Sequence, residues 1–140
     1  MNAPKIIKIS SQIYVGFCIL SLLYVSLLSL YSPQATMDLV ATTLPNTDAI
    51  SSIRGIYGGV GLVINFALIY LLWNDLNKAL VLLCMFWAAY AISRVITSFV
   101  EGPLGSFGSQ WLVIELTFSI IAFIFWTLIH KFQLQPVRNK

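Results

Sequence analysis

Charge is what this sequence has least of. Of 140 residues, 8 are lysine or arginine and 5 are aspartate or glutamate, which is 9% charged against 59% hydrophobic; the mean hydropathy is +0.87. A soluble domain carries about 25% charged residues, so this chain cannot keep a folded surface wet and belongs in a membrane. The net charge of +3 is then a topology signal and not a nucleic-acid footprint. Metal and redox chemistry are scarce as well. The one histidine, His130, stands beside Lys131, and Cys18 and Cys84 stand singly with no C-x-x-C pair. Neither spacing makes a ligand set or a disulfide framework, so we expect no metal and no cofactor.

What the sequence has in quantity is long apolar runs. A helix needs about 20 apolar residues to cross a hydrocarbon core, and four stretches qualify: 9–31, 50–73, 78–99 and 110–131. The expected fold is all-α, an integral membrane four-helix bundle forming a single transmembrane domain over residues 1–140, with the lipid bilayer as its principal partner. The first run is longer than the apolar region of a signal peptide and has no good small-x-small cleavage site after it, so we expect a retained helix.

Lysines precede the first span (Lys5, Lys8), occupy the second connection (Lys78) and follow the fourth span (Lys131, with Arg138 and Lys140). The positive-inside rule makes these places, and both termini, cytoplasmic. A multi-pass protein of the bacterial inner (plasma) membrane is the expectation. The first and third connections then face outward; they hold Asp38, Asp48 and Glu101 and no lysine or arginine.

With that orientation, a rise of about 1.5 Å per residue puts Arg54, Arg94 and Glu115 roughly 6 to 9 Å below the outer ends of their spans. Glu101 follows at the outer lip. Charge at such depth is costly, and it pairs, faces the protein interior or lines a water-filled cavity. Two cations and two anions at one level predict mutual pairing. In the second span Arg54, Tyr57, Gly58, Gly61 and Asn65 share one helical face, and Tyr90, Arg94, Thr97 and Glu101 make a second polar stripe. Gly55, Gly58, Gly59 and Gly61 are candidate packing positions, since helices in lipid associate where small residues let backbones approach.

The longest connection, 32–49, has Thr36 placed to N-cap a short interfacial helix, with Met37, Val40, Ala41 and Leu44 on its apolar side. Asp48 or Ser51 is placed to cap the second span after Pro45. The 102–109 segment, Gly-Pro-Leu-Gly-Ser-Phe-Gly-Ser, reads as a reversing loop or a lid.

Arg54-Gly55-Ile56-Tyr57-Gly58-Gly59, the later Arg94, Glu101-Gly102-Pro103 and Glu115-Leu116 give the chain a resemblance to the bacterial four-helix membrane family called domain of unknown function 4345. The resemblance spans helices two to four. It implies four membrane helices and no activity, substrate or cofactor. In layout the chain is also similar to DoxX-like four-helix membrane proteins, without the cysteine pair that redox chemistry would need.

Three functions follow. The leading one is an outward-facing pocket of Arg54, Tyr57, Arg94, Glu101 and Glu115 binding a small polar or amphiphilic ligand, such as a lipid head group or a quinone-like molecule. The second is structural: a buried ion network fixes helix register in an accessory subunit, working as a homo-oligomer or beside another membrane protein. The third, a proton-coupled transporter or an enzyme, is disfavoured, because no nucleophile, base and oxyanion set is complete and no inverted repeat or broken helix stands out.

Overall fold

The computed structural model describes residues 3–133, so Arg138 and Lys140 lie outside the described residues. The architecture is all-α: α1 (Ala3–Tyr31), α2 (Pro33–Asp38), α3 (Thr47–Ile53), a π-helical segment (Arg54–Val60), α4 (Gly61–Asn74), α5 (Leu76–Val100) and α6 (Ser106–Gln133). Four helical stretches are long and apolar enough to cross a membrane: α1, the continuous run Thr47–Asn74, α5, and α6 as far as Phe132. The chain divides into two compact units. The first joins the start of α1, through Val15, to the chain from Asp75 onward; the second runs Gly16–Asn74.

In the first unit, α5 and α6 are the principal packed pair. Leu80, Leu83, Trp87 and Ala91 are the buried stripe of α5, and Glu115, Ala122 and Ile129 recur every seventh residue as the buried stripe of α6. That heptad spacing keeps one seam facing one partner, as in coiled-coil-like packing. Ser119 Oγ donates to the Cys84 carbonyl at 3.1 Å, giving the seam a polar tie. The α1 start docks through Tyr14, whose hydroxyl donates to the Phe118 carbonyl at 2.7 Å and whose ring meets Phe118 and Phe125. Asp75 caps α5, accepting from the Lys78 amide at 3.2 Å.

In the second unit, α1 packs by close approach. A Cβ on Gly58 would stand 2.7 Å from the Leu30 side chain, and one on Gly61 would collide with Ser26. Asn65 is buried on the same face and donates to the Gly61 carbonyl at 2.9 Å and to Ser26 Oγ at 3.4 Å. Gly55 and Gly59 are different: a Cβ there would meet nothing within 4 Å.

Several boundaries differ from the sequence expectation, each for a local reason. Ser32, not Thr36, caps α2, accepting from the Ala35 amide at 3.4 Å, with Pro33 in the first turn where its missing N–H costs nothing. Thr36 is buried instead, sharing a 2.9 Å hydrogen bond with Ser29. Asn46, not Asp48 or Ser51, caps α3 at 2.8 Å from the Ala49 amide. The helix α6 starts at Ser106, so the reversing loop is shorter than the glycine content suggested; Gly102, at φ +107°, supplies its left-handed turn.

Candidate functional site

The buried carboxylate anchors the site. Glu115 lies on the inner stripe of α6 with its side chain 2% exposed, and Arg94 on α5 reaches it through Nε at 2.7 Å; the arginine side chain is 22% exposed. A charge-assisted bond of this kind offsets part of the cost of holding a carboxyl group away from water. The guanidinium carbon also sits 6.0 Å from the centre of the Phe107 ring, a cation–π distance. With Nε taken and the planar face covered, the arginine presents its outer Nη edge, for which no described residue supplies an acceptor. Such an edge matches the two oxygens of a carboxylate or phosphate.

Around Arg94 the surface of α5 is polar and uncovered. Tyr90, Ser93, Thr97 and Glu101 are exposed, and the Ser93 and Thr97 hydroxyls turn back onto their own helix carbonyls. Glu101 caps the C-terminus of α5 and makes no ion pair among the described residues. The expected mutual pairing of four charges thus resolves into one buried pair, Arg94 with Glu115.

Arg54 has a different anchor. In the second unit its Nε donates to the Leu30 carbonyl at 3.0 Å, one of the carbonyls at the end of α1 that lack an intrahelical amide. Its side chain is exposed, and no described carboxylate forms an ion pair with it. Tyr57, half-buried, belongs to the same π-helical turn. Isolated π turns inside α-helices often occur at functional sites. Here the segment is Arg-Gly-Ile-Tyr-Gly-Gly-Val, three glycines in seven residues, and the weak helix propensity of glycine leaves the register to be set by tertiary contacts.

Two participants have no clear sequence signal: Phe107 lies in a run that reads as loop, and the Leu30 carbonyl is backbone. Among the described residues no group of three His, Cys, Asp or Glu could hold a metal ion.

Four apolar spans and an intramembrane Arg–Glu pair define a small multi-pass membrane protein. Residues 10–126 match the family described as Domain of unknown function (DUF4345), and the chain belongs to that family. No curated protein and no solved structure matches it significantly.

Proposed function

We propose that this membrane protein binds a small polar or amphiphilic ligand, a lipid head group or a quinone-like molecule, in the outward-facing half of its spans. Arg94 is the main contact, Glu115 holds it in place, Phe107 walls one side and Glu101 stands at the lip. Arg54 and Tyr57 are proposed as ligand contacts on their own segment. Inner-membrane placement with cytoplasmic termini completes the proposal, resting on Lys5, Lys8, Lys78 and Lys131. The observation that carries the reading is the free Nη edge of Arg94, fixed through Nε by a buried carboxylate and set in an exposed polar stripe. Lipid does not satisfy the Nη edge, so a polar occupant or water must.

The test is native mass spectrometry of protein released from mild detergent, wild type beside Arg94→Gln, with circular dichroism as a check on fold. A stoichiometric small molecule retained by the wild type and lost by the folded variant is expected. Equal retention by both would sink the pocket. A structural reading also has support, since the Arg94–Glu115 bond ties α5 to α6: an accessory subunit would show no retained molecule and a variant that fails to fold.

A further inference from the structure

We infer that the free edge of Arg54 is an oxyanion site that takes a phosphate group, from a phospholipid head group or from free phosphate. The argument begins with charge. Arg54 is the only lysine or arginine between Gly16 and Asn74, and the acidic residues of that unit are Asp38 and Asp48. Asp38 accepts from Gln34 Nε2 at 2.6 Å, Asp48 sits in the first turn of α3, and neither forms an ion pair with Arg54. Arg94 is neutralised by Glu115 at 2.7 Å; Arg54 has only the neutral Leu30 carbonyl, at 3.0 Å. An anion placed at Arg94 meets a pair of zero net charge. At Arg54 it meets a full positive charge.

Geometry adds direction. The bond from Nε to Leu30 fixes the guanidinium against the end of α1, where the helix dipole also favours a cation. Both Nη nitrogens are left without a described acceptor. A guanidinium tethered this way is restricted in reaching for the water interface, and a cation within a membrane helix is costly without an anionic or oxygen-rich partner. Two parallel N–H donors at the Nη edge suit two oxygens of one phosphate. The Arg54 side chain is itself exposed, so an oxyanion can reach the edge. The inference stands on the second unit alone and does not depend on Arg94 binding anything.

The experiment uses the full chain in dodecyl maltoside, mixed with phosphatidylglycerol or with diacylglycerol, which lacks phosphate, and read by native mass spectrometry. Variants are Arg54→Gln, Arg54→Lys, Arg94→Gln and, as a control for general basicity, Lys131→Gln. The wild type is expected to retain one phosphatidylglycerol at least about tenfold over diacylglycerol, and both Arg54 variants to lose about tenfold, lysine included because it has no fork. Lys131→Gln should retain it. Displacement by millimolar inorganic phosphate would show that the site accepts the free oxyanion; Arg54-dependent retention that phosphate does not displace would make the lipid head group its source. Equal retention by folded Arg54→Gln and wild type overturns the inference. If neither Arg54 variant folds, equal retention of the two lipids by the wild type overturns it instead. Loss confined to the Arg54 variants supports this site without the Arg94 pocket, and loss confined to Arg94→Gln supports that pocket and removes this site.

Discussion

Each unit of the chain holds one arginine within a membrane-length helix, and the two are anchored in opposite ways. Both donate through Nε and keep the Nη edge free of described acceptors, Arg54 to the Leu30 carbonyl and Arg94 to the Glu115 carboxylate. One anchor is neutral backbone; the other is a buried charge. An arginine on a carbonyl can be removed and leave only one unsatisfied acceptor. An arginine on a carboxylate 2% exposed cannot, because its removal strands an anion. Similar geometry therefore carries different energies, and the comparison can be broken by experiment.

The largest effect is expected at the charged anchor. Glu115→Ala or Arg94→Ala should cost about 3 to 5 kcal/mol, the cost typical of breaking one side of a buried ion pair, while the double change Arg94→Leu with Glu115→Leu should recover most of it. Unfolding by SDS titration in mixed micelles measures both. A single variant within about 1 kcal/mol of wild type would mean that the pair is as solvated as a surface bridge, and the contrast with Arg54 would vanish.

Next come the glycines that bring the second unit together. Gly58→Ala and Gly61→Ala force a methyl against Leu30 and Ser26 and should cost about 1 to 3 kcal/mol, the range for overpacking. Gly55→Ala and Gly59→Ala meet open space and should stay within about 1 kcal/mol, the size of the helix-propensity difference. Thermal unfolding across the four variants separates the sets; equal losses at all four would show that the π-helical backbone itself, not close approach, requires glycine. Arg54→Gln belongs below Gly61→Ala. Losing one hydrogen bond to a carbonyl should cost about 1 kcal/mol, and a loss matching that of Glu115→Ala in the same SDS titration would contradict a neutral anchor.

How far the sequence could be read depends on which force decides each feature. Four spans were legible because hydrophobic length acts on composition alone. Pairing among Arg54, Arg94, Glu101 and Glu115 was expected from the cost of buried charge, and one such pair, Arg94 with Glu115, is present among the described residues. Arg54 misled, since an arginine has no sequence-visible preference for a helix-end carbonyl over a carboxylate. The stripe Arg54, Tyr57, Gly58, Gly61 and Asn65 was expected on one face, and Arg54, Gly58, Gly61 and Asn65 meet α1 at Leu30 or Ser26. The π-helical register of Arg54–Val60 was invisible, because a period of 3.6 residues was assumed throughout. Phe107 stands at the end of a glycine- and proline-rich run of the kind that forms loops, which hides its place in the first turn of α6. The Ser32-Pro33 pair was a legible cap that the longer apolar pattern after Thr36 obscured.

The smallest expected effect lies outside the spans and sharpens the comparison from its opposite limit, an exposed pair. Asp75 bonds Lys78 twice, Oδ2 to Nζ at 2.9 Å and Oδ1 to the backbone amide at 3.2 Å, with side chains 34% and 74% exposed respectively. The Lys78 side-chain bond, then its backbone amide, hold the Asp75 carboxyl below its ordinary value of 3.8. A group whose folded pKa is lowered binds fewer protons folded than unfolded, so folding gains from its ionised form. That contribution is fully present above the ordinary value and is lost as pH falls through the lowered one. The contribution of Asp75 should therefore not vary with pH between about 5 and 8, where the residue is ionised in both states. Asp75→Asn keeps the cap, since asparagine is as good an N-cap residue as aspartate, and removes the Lys78 ion pair together with its titration. Its stability should fall slightly short of wild type near neutrality and decline less steeply in acid, where the wild type loses the same contribution. If the variant loses stability at pH 7 on the scale of Glu115→Ala, the exposed pair is no weaker than the buried one, and burial is not what separates the two arginines.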